Sequence, residues 1–292
     1  MYTPGVFDRR ALQRFKRNKP ALVGAVIVGV VLMVALFGPL VAPHDPNEMH
    51  FGPSALSALG KPQGPSADFP LGTDAAGRCV LSRLLYGARV SLAVGVFATA
   101  MAVGIGLLIG LVAGYFRKRT DSLLMGFTDM VLAFPFLLLV ITVASMRESS
   151  GLVDVFIVLG ITGWTTMARV IRGKVLSIRE MEYVQAARAV GAGDARILGR
   201  HVLPNVIGPT IVLGSIGIAN FILSEAVLSY LGLGVPPPHA SWGAMLYEGQ
   251  SLYTLAPRLI LIPGLAIVIT VSGFNLLGEG LRDAFDPKDK RG

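Results

Sequence analysis

Only one cysteine, Cys79, occurs in 292 residues. A single thiol cannot form an internal disulfide or a zinc pattern, so its expected role is packing. Charge is also scarce: 15% of residues are charged and 53% hydrophobic, with a mean hydropathy of +0.63. That balance excludes an ordinary soluble domain and predicts a membrane protein. The four histidines are scattered. Neither His-Glu-x-x-His nor Gly-x-Ser-x-Gly occurs, which argues against an intramembrane hydrolase. A Gly-x-x-x-x-Gly-Lys-Ser/Thr phosphate loop is missing too, since Lys61 and Lys174 follow glycine but precede Pro62 and Val175. The chain is expected to be no enzyme and to bind no ATP by that route.

What the chain has instead is long uncharged runs. Residues 1–20 carry Arg9, Arg10, Arg14, Lys16, Arg17 and Lys19 against Asp8, and residues 21–41 are then uncharged. About 20 apolar residues cross a bilayer, so 21–41 is read as a first span. A signal peptide has a shorter apolar core, about 7 to 15 residues, and cleavage is not expected. Residues 42–89 form a proline-rich extracytoplasmic loop, from which an amphipathic pattern emerges over Thr73–Arg89. This predicts a helix along the outer interface, with Arg78, Arg83 and Arg89 either meeting lipid headgroups or serving a contact or a plug over a pathway.

Val90–Phe116 is the longest uncharged run and a second span. Its Gly106, Gly110 and Gly114, four apart, suit close helix packing. Ser122–Met146 is a third, carrying Asp129 and a kink expected at Pro135. After a polar loop at 147–154, helix four runs from Val155 to Ile171, with Arg169 able to snorkel. Helix five, Val206–Leu231, holds Glu225; an acid there is a pathway candidate or is satisfied by Ser224, Ser229 or a neighbouring arginine. Trp242 and Tyr247 suit an interfacial level. Leu259–Gly278 is the sixth span, followed by a polar tail.

Six spans put both termini on one side. The net charge of +8 would suggest a nucleic-acid partner for a soluble protein. Here 20 of the 26 Lys and Arg fall on the side holding the termini. The positive-inside rule makes that side cytoplasmic, and no nucleic-acid partner is expected.

Between the fourth and fifth spans lies Glu182–Asn205, EYVQAARAVGAGDARILGRHVLPN, charged and rich in small residues. Tyr183, Ala186, Ala187 and Val190 recur at helical spacing on one face, and Gly191 and Gly193 supply a stop. The segment resembles the cytoplasmic coupling loop of ABC importer permeases, Glu-Ala-Ala, three residues, Gly, nine residues, Ile, one residue, Leu-Pro. Here the positions are Gln185, Ala186, Ala187, Gly191, His201, Leu203 and Pro204, so Gln185 and His201 depart from the pattern. Phe69–Gly95 (FPLGTDAAGRCVLSRLLYGARVSLAVG), Ser224–Pro238 (SEAVLSYLGLGVPPP) and Ser241–Leu246 (SWGAML) extend the resemblance over nearly the whole chain. It is similar to the C-type subunit of the dipeptide and oligopeptide permease group, with Cys79 where that pattern carries an acidic residue.

The resemblance implies an all-α integral membrane fold: a cytoplasmic segment at 1–20, a first helix at 21–41, a loop at 42–89, and a transmembrane domain over 90–292. That domain would include a coupling loop at about 174–204 and a cytoplasmic tail at 282–292. It implies peptide import through a pathway shared with a second homologous permease. Two cytoplasmic ATPases would hold ATP and Mg, and an extracytoplasmic binding protein would deliver substrate within a lipid-embedded complex. Tyr183, Gln185, Ala186, Ala187, Arg188, Gly191, His201 and Pro204 would couple to the ATPases, and Asp129 and Glu225 are pathway or gate candidates. The Ala-rich face could instead pack on its own membrane domain. Nickel or another small solute is the alternative substrate. His44, His50 and His239 show no metal spacing. An ion-coupled carrier or channel is the alternative of another class.

Overall fold

The computed structural model describes residues 9–57, 60–145 and 152–285, and these are helical with no strand among them. A short basic helix α1 (Arg9–Arg17) leads into α2 (Lys19–Val41). The Asn18 side chain caps α2 by accepting the Ala21 N–H at 3.1 Å, and its amide donates to Asp283 at 3.0 Å. That is the preferred chemistry at a helix start. Residues 42–79 hold only two isolated β-bridges, Leu56 with Pro62 and Thr73 with Cys79. Thr73 ties this loop by donating to the Ala55 carbonyl at 2.6 Å and accepting from Gln63 N at 3.0 Å. Cys79 is fully buried beside Ala55 and Phe69, the packing role expected of it.

Helix α3 runs unbroken from Val80 to Phe116 and merges what the sequence reading divided into an interfacial helix and a second span. No breaker separates Arg89 from Val90, and Gly87 sits where a side chain would strike Trp242, so it serves packing and not a stop. At 1.5 Å per residue α3 is about 55 Å long, well beyond a bilayer's hydrocarbon core. Helix α4 (Lys118–Ala133) and α5 (Phe136–Ser145) replace the expected third span. Phe134 is extended, as the residue before proline prefers, so the helix breaks at Phe134–Pro135 instead of merely kinking. The expected 147–154 loop lies largely outside the described residues. Helix α6 (Leu152–Arg179) extends eight residues past the predicted end at Ile171.

The connection after α6 holds α7 (Glu182–Ala189), α8 (Asp194–Ile197) and a π-helical turn (Leu198–Val202), and leads into α9 (Leu203–Tyr230). Helix α10 (Trp242–Gly249) and a 3-10 turn precede α11 (Arg258–Phe285), which stays helical past Gly278. The tail at 286–292 lies outside the described residues. Trp242 is not interfacial: it is 3% exposed, and its indole donates to the Leu84 carbonyl at 3.0 Å, while Tyr247 is exposed. Among the described residues five helices are long and apolar enough to cross a membrane, and the broken α4–α5 pair stands where the third span was expected.

The bundle is organised around α3, which touches α2, α4, α6, α9 and α10. Side chains at Gly106, Gly110 and Gly114 would fall within 2.5–2.9 Å of Met167, Ala168, Ile171, Arg172 or Val175 on α6. Glycine is therefore what lets the two helices approach, as in membrane bundles generally. Helix α11 crosses α2 in the same way, with Gly280 against Ala21 and Gly273 against Ile27.

Candidate functional site

The α6–α9 connection is a compact structured excursion. Its first element, α7, is fixed to the bundle by Val184, which is fully buried with Tyr115, Ile171, Val175 and Ile178. One turn further on, Arg188 also faces inward and lies 5.8 Å from the Tyr115 ring. The opposite side is bare: Tyr183 is 42% and Val190 85% exposed, and Gln185 and Ala186 are exposed with them. Ala187 is half-buried on the bundle side. The expected contact set thus divides, with Tyr183, Gln185 and Ala186 facing out and Ala187 and Arg188 facing in. The sequence grouped Tyr183, Ala186, Ala187 and Val190 on one face; three of these are exposed, but Ala187 turns inward with Arg188 beside the overlooked anchor Val184, of which they are the i+3 and i+4 partners.

Gln185 uses its amide as a donor, to the Arg179 carbonyl at 3.3 Å and to Glu180 at 3.4 Å. The glutamate of the family pattern could not donate there. Helix α7 ends as the glycine predicted, with Gly191 at φ +84. The Ala192 N–H bonds the Ala187 carbonyl and the Gly191 N–H bonds the Arg188 carbonyl, both at 3.0 Å. This is the Schellman closure, which requires a left-handed residue at that point. Gly193 instead precedes α8 with ordinary backbone angles. Partial burial raises the Tyr183 phenol above its ordinary range.

The second half of the motif folds back on the first. His201 lies 6.0 Å from Tyr183, ring to ring. Pro204 is in the first turn of α9 and has no N–H to give the carbonyl four residues back. The Leu203 N–H reaches Leu198, and the Asn205 amide donates to the His201 carbonyl at 2.7 Å. The π turn is the local consequence.

The two acids within spans lie in different settings. Asp129 pairs with Arg169 at 2.6 Å, both side chains more than half exposed, so Arg169 is held by protein and not by headgroups. Phe134 and Phe136, either side of the break, line a hollow of about 190 Å³ with Thr162, Gly163 and Thr166 of α6. Glu225 is fully buried and accepts from Ser229 at 2.6 Å, Ser241 at 2.8 Å and Ser91 at 3.4 Å. Each of these hydroxyls in turn accepts a backbone N–H, from Val235, Ala244 and Trp242 respectively. Ser224 is not among its partners; it donates to the Asn220 carbonyl. Ser91 and Ser241 come from distant sequence and carried no local signal.

At the other end of α3, Arg78 and Arg83 turn into the protein, onto Asp74 and Glu248, and not toward headgroups. Folding also brings His44 and His50 together, ring centroids 4.9 Å apart beside Phe69. Among the described residues no group of three or more His, Cys, Asp or Glu is arranged to hold a metal ion.

Comparison with known proteins places this architecture. Residues 106–291 match the family described as "Binding-protein-dependent transport system inner membrane component". The chain belongs to that family. Residues 7–59 of this permease also match the N-terminal TM domain of oligopeptide transport permease C. It is 40% identical to the dipeptide transport system permease protein DppC of Alkalihalophilus pseudofirmus, over 97% of this chain and 90% of that one. It is 40% identical to the oligopeptide transport system permease protein OppC of Bacillus subtilis, over 95% and 88%. With the glutathione transport system permease protein GsiD of Escherichia coli O6:K15:H31 it shares 41% identity, over 95% and 89%. A chain of the MetNI methionine ABC transporter, in an inward-facing structure, superposes with a TM-score of 0.60 at 18% identity, covering 69% of the permease and 96% of that chain. The last likeness is one of fold.

Proposed function

We propose that the permease forms half of the translocation pathway of an ATP-driven importer for di- or oligopeptides. A second homologous permease completes the pathway, and an extracytoplasmic binding protein supplies the substrate. Two cytoplasmic ATPase subunits hold ATP and Mg, and this chain has no nucleotide site of its own. Both termini and α7 are cytoplasmic in this reading, which follows the distribution of Lys and Arg. The observation that carries it is the bare Tyr183–Ala186–Val190 face of α7, held outward by the Val184 anchor and the Gly191 closure. ATP-driven closure of the ATPases would press on that face and switch the bundle between inward- and outward-facing states. The dipeptide, oligopeptide and glutathione names of the relatives favour a peptide over nickel.

The pathway side is the face that joins α4, α5 and α6. A half-exposed Asp129–Arg169 pair at the level of the spans is costly against lipid and suits a wet passage. The broken helix beside it exposes backbone of the kind that lines cavities in transporters. Glu225, closed in by its serines, acts as a packing node behind that face.

The test is vesicle reconstitution of the four membrane and ATPase subunits with the binding protein, together with Ala186→Cys as a cross-linking site. Peptide uptake should require ATP on the ATPase side, and the introduced thiol should cross-link to an ATPase subunit. Gradient-driven flux through the chain alone, or labelling of position 186 from the binding-protein side, would overturn the reading.

A further inference from the structure

Tyr115 sits on the last turn of α3, is 3% exposed, and is gripped through its hydroxyl, ring and carbonyl. Its hydroxyl donates to Asp194 of α8 at 2.6 Å and accepts from Arg188 of α7 at 3.4 Å. The guanidinium groups of Arg179 and Arg188 lie 5.7 and 5.8 Å from the ring centroid, within cation–π range. Its carbonyl, one of the acceptors a helix end leaves open, receives a bond from Arg179 at the end of α6. Every segment of the connection up to α8 is therefore bonded to one side chain of the central helix. Val184, the buried foot of α7, belongs to the same apolar cluster.

We infer that Tyr115 is the positioning residue that passes displacement of α7 into α3. This rests on the proposed docking of α7 to an ATPase. The physical argument is one of linkage. A docked helix that moved on a loose hinge would dissipate the motion in its own loop, whereas α7 is held inward by Val184, in the apolar cluster that holds Tyr115, and by Arg188, which ends on the Tyr115 hydroxyl. Asp194 draws α8 to the same hydroxyl, so the segments on either side of Gly191 move with one partner. Arg117, just beyond α3, adds a second tie at 3.0 Å to Glu180, next to the start of α7. The carboxylate of Asp194 offsets one of the two guanidinium charges that share the ring.

The experiment uses the complete importer, with both permeases, both ATPases and the binding protein, in vesicles. Tyr115→Leu keeps an apolar side chain in the cluster and removes the hydroxyl and the π face; Tyr115→Phe removes the hydroxyl alone. Three quantities are read: assembled complex, cross-linking of Ala186→Cys to the ATPase, and peptide imported per ATP hydrolysed. Peptide per ATP should fall at least about fivefold in Tyr115→Leu, the lower end of coupling between linked sites. The cross-link and the assembled complex should remain, and Tyr115→Phe should recover part of the loss. A Tyr115→Leu importer with unchanged peptide per ATP and an intact cross-link overturns the assignment of Tyr115 and leaves docking standing. A loss of uptake that only tracks loss of assembled complex also overturns it, because a purely structural role moves nothing else. Failure of the cross-link with Tyr115 intact overturns the docking reading itself, and Tyr115's role with it.

Discussion

Arg83 and Glu248 are 165 residues apart in sequence and ion-paired through one guanidinium nitrogen, Nη2, which donates to both carboxylate oxygens at 3.0 and 2.9 Å. Arg83 is 1% exposed. Asp74 and Arg78 complete the group, with Arg78 donating at 2.7 Å to Asp74 and at 2.6 Å to Glu248. The cluster fastens the 42–79 loop and the start of α3 to α10. Without Arg83, Glu248 and Asp74 share the single remaining cation, Arg78, and the Pro46 carbonyl loses a donor. Arg83→Met should therefore lower the melting temperature of the purified permease in detergent by several degrees. Arg83→Lys should recover little, since a compact ammonium cannot reach Glu248, Asp74 and the Pro46 carbonyl together as the guanidinium's separate nitrogens do. An unaltered melting temperature in Arg83→Met would remove the cluster from the account of stability.

The α3–α6 seam gives a paired test. A side chain at Gly110 would lie 2.7 Å from the Ala168 carbonyl and 2.9 Å from Ile171, whereas one at Gly104 would meet nothing within 4 Å. Gly110→Leu should cost at least about 1–3 kcal/mol by overpacking and reduce the yield of folded protein. Gly104→Leu should match the parent in a detergent-solubilised yield and melting assay. Equal behaviour of the two would mean that the seam does not hold the helices at this distance.

Gly191 has open space around it, so only its backbone is demanding. At φ +84 a β-branched residue carries about 1–3 kcal/mol of strain. Gly191→Val should abolish peptide uptake with the complex still assembled, and Gly191→Asn, which tolerates the left-handed region, should retain most of it. Uptake by vesicles containing each variant measures this, and full activity of Gly191→Val would show that the Schellman closure is dispensable.

Glu225 separates the importer from an ion-coupled carrier. Its three serine partners each accept one backbone N–H and direct their own proton at the carboxylate. In Glu225→Gln the amide oxygen can still accept from Ser229 and Ser241, and the NH₂ can donate to Ser91; the variant should stay folded and active. Glu225→Leu leaves buried hydroxyls without acceptors, at about 1–3 kcal/mol each, and should melt earlier. Loss of uptake in a well-folded Glu225→Gln would instead favour a titrating role in ion coupling.

Much of this was legible in one dimension, for reasons that differ by residue. Spans declare themselves because lipid demands about 20 apolar residues, and Gly191 declares a turn because few other residues accept its geometry. The packing use of Gly106, Gly110 and Gly114 followed from their four-residue spacing. Boundaries were less legible. The end of α6 and the start of α3 lie among arginines that look like interface markers, yet Arg83, Arg172 and Arg78 are paired with acids far away in sequence. The same holds for Tyr115, which read as an apolar residue at the end of a run. Nothing local could show that Asp194, 79 residues later, would meet its hydroxyl. Pro135 was read as a kink because the energy of one missing hydrogen bond does not say whether the neighbouring residue stays helical.

Helix α3 carries no proline in its 37 residues, with the ion-pair cluster at one tip and Tyr115 at the other. A hinged strut absorbs thrust at its joint, but an unjointed one behaves as a pushrod. Axial travel or twist delivered at the Tyr115 tip must then arrive at the Arg83 tip together with the loop lashed to it. The 42–79 loop at one end of the bundle is in this way within mechanical earshot of α7 at the other, without any relay of intermediate side chains.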